Sequence, residues 1–400
     1  MSKRQSTFEI DELPHEMQKS SKIQAKDIHD LPDEVLLKIF AKLSLKNLIC
    51  TSQVSKRIRC VCYDKSLWQK INLFKKRVPT EFIEQILENG CCYLSLCDAN
   101  LNGLTIPNRG PHPVPTPLKV LSGKSQLRYL DLSFFKNEVF VGELLKSCQF
   151  LEKLSLKYSN TGTGKANLNS GCLKFDNLKV LDISGCEGIN MGTMRQIVKF
   201  ENLTEINFGW PPKGGSLSAT MIDYLVKNIS IQLKKISLNA QKSVEDEHIS
   251  KLVTRCKEIT DLQLCGASYI TNNSLDYIMK SLPKLVGLDI SKTKISSIKI
   301  LELRWMPELQ NLICEHVLTL SDIKKLENRL PHLIINQKRF KIADRSESLT
   351  PIEGFWDVQA AVQDMFAVNE KGENQLFVGY TRLFRTYDYD MIIHYDNESF

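Results

Sequence analysis

The side chains best suited to chemistry in this 400-residue chain are its twelve cysteines and seven histidines. No C-x-x-C pair occurs, Cys60 and Cys62 are spaced wrongly for a zinc knuckle, and no histidine stands in an H-E-x-x-H motif. We therefore expect no metal and no cofactor. Cys148 and Cys256 each come just before a leucine-rich segment, so we interpret them as small buried apolar residues rather than redox groups.

One glycine-rich segment, SNTGTGKA from Ser159 to Ala166, has some features of a phosphate-binding loop. Such a loop needs glycine at the position of Ser159, serine or threonine at that of Ala166, and a strand before and a helix after it. Serine and alanine occupy these two positions instead, and the segment falls between repeat strands. We therefore predict that the chain is not an enzyme.

Charge and hydropathy exclude two further classes of partner. The net charge of +7 is spread thinly, and no basic stripe is interleaved with aromatic residues, which argues against nucleic acid. No apolar run approaches the ~18 residues that a membrane span needs, and the first residues lack a secretory signal, so we expect an intracellular protein without membrane contact. Residues 336–400 are acidic, with seven basic and eleven acidic side chains.

The elements that must position any site come from an internal repeat. The motif L-x-x-L-x-L recurs, and its second apolar position is spaced by 24, 27, 25, 30, 26, 26 and 24 residues, which is typical of leucine-rich repeats. A degenerate copy around Leu94 and a short copy around Leu333 are expected to close the two ends. The marker residues are Leu130, Leu154, Leu181, Ile206, Ile236, Leu262, Leu288 and Leu312.

Each repeat predicts a short strand followed by a helical stretch that covers it. Side chains alternate along a strand, so Leu130 and Leu132 point inward while Asp131 points outward. One repeat cannot bury its apolar face alone, and stacking predicts an α/β right-handed solenoid with a parallel sheet on its concave face and helices on its convex face. Exposed concave residues are the candidate substrate-binding positions: Asp131, Lys153, Lys157, Asp182, Asn207, Trp210, Lys235, Asn239 and Asp289.

The segment before the repeats, residues 27–73, reads as a compact all-helical module. Pro32 is placed to begin a helix, and Leu36, Ile39, Phe40 and Leu43 give that helix an apolar face. Fewer than fifty residues can hardly bury all the apolar side chains present, so we expect some of that surface to remain available to a partner.

The order LPDEVLLKIFAKL, VSKRIR and DKSLW in this module resembles an F-box, which docks substrate receptors onto the Skp-family adaptor of cullin-type ubiquitin ligases. Ile58 stands where a tryptophan is common. The resemblance assigns a set of residues to adaptor contact or to the packing that presents it, without separating these two roles: Leu31, Pro32, Val35, Ile39, Leu43, Leu48, Val54, Leu67 and Trp68.

The end of the repeats, LPHLIINQKRFKIADRS and GFWDVQ, resembles the S-phase kinase-associated family of F-box and leucine-rich-repeat receptors, from about residue 27 to about residue 360. The resemblance implies a non-catalytic receptor subunit of an SCF-type ligase in the nucleus and cytoplasm. It further implies contact with the cullin and a ring-type subunit through the adaptor, and a phosphorylated, cell-cycle-related substrate sent for proteasomal degradation. It leaves open whether a Cks-type accessory protein takes part.

These observations divide the chain into a flexible segment 1–26, the F-box 27–73, a linker with degenerate repeats 74–126, the repeats 127–335 and a tail 336–400. The proline-rich stretch Pro107 to Pro117 is expected to be a semi-rigid loop, with SH3-type recognition as a less favoured reading. The acidic tail is predicted to lie in the concave groove. The main alternative function is a non-degradative leucine-rich-repeat scaffold or inhibitor.

Overall fold

The computed structural model describes residues 28–102, 125–159, 175–315 and 317–336. The chain divides into two compact units, with the boundary after Leu67. The predicted N-terminal segment 1–26, the proline-rich stretch, most of the glycine-rich segment and nearly all of the tail lie outside the described residues. Among the described residues, no helix combines the length and apolar character needed to cross a bilayer.

The first unit consists of short helices, two of which begin at a side-chain cap. Ser44 accepts a hydrogen bond from the Asn47 N–H and Ser55 accepts one from the Ile58 N–H, which satisfies amide groups that the first turn of a helix leaves unpaired. The helices are α1 Asp33–Phe40, α2 Leu45–Thr51 and α3 Lys56–Cys62, preceded by a 3-10 helix Ile28–Asp30.

The second unit is a solenoid built on an eleven-stranded, all-parallel sheet. The strands are β1 Lys70–Asn72, β2 Arg77–Pro79, β3 Tyr93–Ser95, β4 Asn100–Asn102, β5 Tyr129–Asp131, β6 Lys153–Ser155, β7 Val180–Asp182, β8 Glu205–Asn207, β9 Lys235–Ser237, β10 Asp261–Gln263, β11 Gly287–Asp289, β12 Asn311–Ile313 and β13 Ile334–Ile335. Strands β2 and β4 pair separately from the main sheet.

Helices connect most of these strands and cover one side of the sheet. They are α4 Thr80–Glu88, α5 Glu138–Ser147, α6 Met191–Ile197, α7 Ala219–Asn228, α8 Asp246–Arg255, α9 Asn272–Ser281, α10 Ser297–Ile300 and α11 Leu320–Arg329, with a 3-10 helix Leu301–Trp305 after α10. Their buried apolar residues pack against the inward side chains of the strands, which gives the continuous core that stacked repeats require. The predicted solenoid architecture is therefore confirmed.

The register of the sheet confirms the predicted marker residues and adds one strand. Leu130 pairs with Leu94 on one side and with Leu154 on the other, and both neighbours are buried. Strand β1, centred on Ile71, pairs with β3 and was not predicted, because its segment lacks the leucine motif. At the other end, Ile335 pairs with Leu312, two residues beyond the expected Leu333.

The cysteines predicted to be core residues are buried. Cys148 and Cys256 are each at most 1% exposed, and the Cys148 thiol donates a hydrogen bond to the Leu144 carbonyl at 3.2 Å. Burial raises the pKa of Cys148 to about 12 and that of Cys256 to about 11. Neither thiol therefore carries the thiolate that redox chemistry needs at neutral pH.

A ladder of left-handed residues closes the edge of the sheet where each strand ends. Four positions after the buried marker of successive repeats, the backbone has a positive φ, and several of these residues are not glycine. The Tyr158 N–H, for example, donates to the Ser184 carbonyl of the next repeat at 2.9 Å. The ladder comprises Lys75, Asp98, Phe134, Tyr158, Gly185, Trp210, Ala240, Gly266 and Lys292.

Candidate functional site

Helix α1 of the first unit has two apolar faces, only one of which the residues described by the structure cover. Leu36 and Phe40 are buried in the core of the unit. Ile39 is 41% exposed and Val35 is half-buried. Positions 35 and 39 lie one helical turn apart and therefore share a face. This helix consequently presents apolar surface to solvent.

Exposure divides the nine predicted adaptor residues into three groups. Val54, in the turn between α2 and α3, is 66% exposed, so burial by the chain does not explain its apolar character. Leu48 is buried in the unit, and Trp68 is buried beyond the boundary, where its ring packs edge-on against Phe82 at 6.3 Å. Pro32, Ile39 and Val54 are exposed, Leu31, Val35, Leu43 and Leu67 are half-buried, and Leu48 and Trp68 are buried.

Arg57 is a positioning residue that the sequence did not reveal. Its guanidinium donates to the Asp33 carboxylate at 2.6 Å and to the Leu31 carbonyl at 2.7 Å, and it also contacts the His29 carbonyl. These bonds fix the chain entering α1 against α3. Neighbouring Ile58 is 1% exposed, so the residue that replaces the common tryptophan fills the core of the unit.

On the concave face of the repeats, four predicted binding residues are buried, and the expectation that they are exposed is wrong. Asp182 is only 1% exposed, and Asn207, Asn239 and Lys157 are also buried. Neighbouring strands lie ~4.8 Å apart, so the side chains of Asp182 and Asn207, which pair across β7 and β8, cover each other.

The carboxylates and amides of this row fasten the backbone that leaves each strand. Asp131 accepts a hydrogen bond from the Ser133 N–H at 2.9 Å, and Asp182 accepts one from the Ser184 N–H at 2.8 Å. Asn207 and Asp289 do the same for Gly209 and Ser291. These polar residues recur in successive repeats because they satisfy backbone donors at the strand ends.

Lys153, Lys235 and Trp210 remain accessible on the concave side. Lys235 forms an ion pair with Glu205 on the adjacent strand at 3.6 Å. Trp210 is half-buried in the left-handed ladder, and its backbone N–H donates to the Asn239 carbonyl at 2.9 Å. The predicted set is therefore spread along the sheet, and the structure does not gather it into one cluster.

One grouping of side chains on this face is a stack that sequence reasoning missed. The rings of Tyr93 and Tyr129 lie parallel, with centroids 4.2 Å apart. The ammonium group of Lys70 sits 5.1 Å from the Tyr93 centroid, and that of Lys153 sits 5.2 Å from the Tyr129 centroid. The four residues pair across β1, β3, β5 and β6. Aligning the position before each marker would have placed them in one row.

Asp289 gives the repeats a pH-dependent stability. Burial raises the pKa of Asp289 to about 6, and nearby Glu315 also raises it, while hydrogen bonds from Ser291 oppose this rise. The folded state therefore holds the proton more tightly than the unfolded state. Stability from this group is present at low pH and is lost as the pH rises through 6.

We expect the unfolding free energy of the native chain, measured against that of Asp289→Asn, to fall by about 2 kcal/mol between pH 4 and pH 6. Urea unfolding of both chains at several pH values measures this difference, because other titrating groups contribute equally to both. Parallel stability curves for the two chains would contradict it.

Within the described residues, no group of histidine, cysteine or carboxylate side chains is arranged to hold a metal ion. Of the glycine-rich segment, only Ser159 is described, and its hydroxyl donates to the Leu156 carbonyl at 2.5 Å. The described side chains form an apolar face on the first unit and a polar, aromatic concave face on the repeats.

Comparison with known proteins identifies families for both units. A model of F-box-like domains matches residues 28–73, and a model of the SKP2 LRR domain matches residues 81–363. Among solved structures, an internalin (inlF) from Listeria monocytogenes is 14% identical, with 75% of this chain and 79% of that chain covered and a TM-score of 0.42. The leucine-rich-repeat protein LegL7 from Legionella pneumophila is 16% identical, with 66% and 89% covered and a TM-score of 0.40.

Proposed function

Because this chain belongs to the family with an F-box and an SKP2-type leucine-rich-repeat domain, we propose that it is the substrate receptor of an SCF-type ubiquitin ligase. The F-box binds an Skp-family adaptor, and the repeats present a protein substrate for ubiquitination and proteasomal degradation. The observation that carries the proposal is the apolar surface of Ile39 and Val54, which the described part of the chain leaves exposed beside a well-packed helical core.

The mechanism is proximity rather than chemistry by this chain. The F-box and leucine-rich-repeat architecture is typical of non-catalytic receptor subunits. Cullin and a ring-type subunit, reached through the adaptor, bring the ubiquitin thioester close to the bound substrate. Tethering then makes the attack by a substrate lysine nearly intramolecular, which raises the effective concentration of the reacting groups.

The finer parts of the proposal concern the substrate and the compartment. We infer a phosphorylated, cell-cycle-related substrate in the nucleus and cytoplasm. This inference is based only on the similarity of the repeats to the SKP2 LRR domain. Among the described residues of the concave face, the cations are lysines rather than an arginine cluster. Since paired arginine forks are the usual grip on phosphate, a Cks-type accessory protein would supply that contact.

Capture of the adaptor tests the proposal directly. We expect the native chain to bind a purified Skp-family adaptor and Ile39→Glu/Val54→Glu to bind it at least tenfold more weakly, because charges at an apolar interface must be desolvated. Ile298→Glu is the matched control, since Ile298 is 77% exposed on the repeats. It should bind as the native chain does.

Circular dichroism should show the same helix content in all three chains, because the substituted positions are exposed. Failure of the native chain to bind the adaptor would overturn the ligase function and favour a scaffold or inhibitor. Equal adaptor binding by the native chain and the double variant would mean that Ile39 and Val54 do not form the adaptor-binding surface.

A further inference from the structure

The concave face carries a continuous stack of two cations and two rings at its N-terminal end. Lys70, Tyr93, Tyr129 and Lys153 follow one another across four neighbouring strands, each within about 5 Å of the next. Every member is in the same register position, one residue before the buried marker. The stack therefore forms one row across four strands of the sheet.

Both lysines of the row keep their positive charge available. Within the described residues, neither Lys70 nor Lys153 forms an ion pair with a carboxylate, whereas Lys235 in the same row pairs with Glu205. Contact with a ring face holds an ammonium group in place without neutralising it. The two ends of the row are thus preorganised to receive anions.

The rest of the concave face has the opposite charge balance. Strands β8 to β12 and the residues after them, through the left-handed ladder, carry Glu205, Asp261, Asp289 and Glu315 against Lys235 and Lys292. The same positions of β1, β3, β5 and β6 carry Lys70, Lys75, Lys153 and Lys157 against Asp98 and Asp131. An anionic ligand is therefore favoured at β1 to β6 and disfavoured further along the sheet.

A second aromatic pair lies just after the C-terminal ends of strands β5 and β6. Phe134 and Tyr158 stack with centroids 5.1 Å apart in the left-handed ladder, and Lys157 lies 5.9 Å from the Tyr158 centroid. These residues follow β5 and β6, the strands that carry Tyr129 and Lys153. Apolar contact is thus available where the two strands that carry Tyr129 and Lys153 end, as a peptide side chain requires.

We propose that the row Lys70–Tyr93–Tyr129–Lys153, bordered by Phe134 and Tyr158, is the docking surface for an acidic peptide segment of the recruited protein. The inference rests on the proposed function and specifies its substrate class. Three strand spacings separate the two lysines, roughly 14 Å, so an extended peptide reaches both with carboxylates about four residues apart.

The same geometry disfavours nucleic acid, the other common polyanion. Bases bind single-strand sites by stacking on free aromatic faces. Each tyrosine of the row already has one face on the other ring and one on a lysine. The row therefore offers charge without an open stacking platform.

Selection from a phage-displayed library of random twelve-residue peptides tests the inference on the full chain. We expect the native chain to enrich peptides rich in aspartate and glutamate. Fluorescence anisotropy with one such labelled peptide should then show about tenfold weaker binding by Lys70→Gln/Lys153→Gln, since two charge contacts are lost. Lys235→Gln is the matched control and should bind the peptide as the native chain does.

Three outcomes would overturn the inference: no enrichment of acidic peptides, equal binding by the double variant, or tighter binding of a twelve-residue oligothymidylate than of the peptide. Acidic peptides captured only after removal of residues 361–400 would assign the row to the chain's own acidic tail and overturn it too. Adaptor capture separates the two proposals, because a native chain that binds the adaptor but enriches no acidic peptide refutes this inference alone. Failure of the native chain to bind the adaptor refutes only the ligase function.

Discussion

Replacing Gly185 with alanine is expected to lower the unfolding free energy of the repeats by about 4 kcal/mol, from a left-handed backbone penalty of 1–2 kcal/mol and an overpacking cost of 1–3 kcal/mol. Gly185 has φ +66°, and a Cβ atom added there would lie 2.2 Å from Cδ1 of Tyr158. The ring therefore has to move, and its contact with Phe134 has to change with it. Urea unfolding of native and variant chains measures the effect.

Gly266 supplies the matched control for this substitution. It occupies the same ladder position with φ +71°, but its added Cβ would meet nothing nearer than the Ala240 Cα at 3.6 Å. Gly266→Ala should thus carry only the conformational cost, about 1 kcal/mol. Equal destabilisation by the two variants would show that the Tyr158 ring gives way freely.

A double variant identifies the ring as the source of the larger cost. Tyr158→Ala in the Gly185→Ala background should recover the overpacking part, so the two changes are expected to be strongly non-additive. Additive effects would mean that backbone strain alone separates the two glycines. Tyr158 is also a border of the proposed acidic-peptide surface, which links the stability of the ladder to that surface.

The period of the leucine motif predicted the sheet because burial of a marker in every repeat leaves little freedom of register. Leu130 and its counterparts could be aligned by sequence alone, and the structure pairs them as expected. The sequence placed the last strand around Leu333, because Leu330 and Leu333 occupy the first two leucine positions of the motif. Leu333 takes the position before the strand, where its N–H bonds to the Leu330 carbonyl, as the Leu309 N–H bonds to that of Met306.

The candidate site was harder to predict than the fold, because exposure on a concave sheet depends on neighbours from other repeats. Asp182 and Asn207 were expected to face a ligand, yet they are buried and hold backbone amides. Tyr93 and Lys70 were overlooked because their repeats depart from the motif. Lys70 contacts Tyr93, which in turn stacks on Tyr129, and this row becomes visible only when the position before each marker is aligned across repeats.

Gln241 is the second residue whose replacement should have a large effect. Its side chain is 1% exposed, and its amide donates to the Phe208 carbonyl at 2.6 Å. Its amide oxygen accepts from the Leu217 N–H at 2.8 Å and from the Ser216 hydroxyl at 3.1 Å. One side chain thus satisfies two buried backbone groups on either side of Trp210 and the loop that follows it.

Gln241→Met keeps the volume of the side chain and removes all three hydrogen bonds. Each buried backbone group left unpaired costs about 1–3 kcal/mol, so we expect the unfolding free energy to fall by about 3 kcal/mol. Gln232→Met, at an exposed position, should change it by less than about 0.5 kcal/mol. Urea unfolding of the three chains gives both values.

The location of this damage tests the role assigned to Gln241. Hydrogen exchange at Leu217 should accelerate in Gln241→Met under conditions where the amides of β5 and β6 remain protected, because those strands are held by their own ladder. Uniform loss of protection along the sheet would instead mean that the solenoid unfolds as one cooperative block. In that case Gln241 stabilises the whole stack, and the loop after Trp210 has no independent freedom through which to adapt to a bound protein.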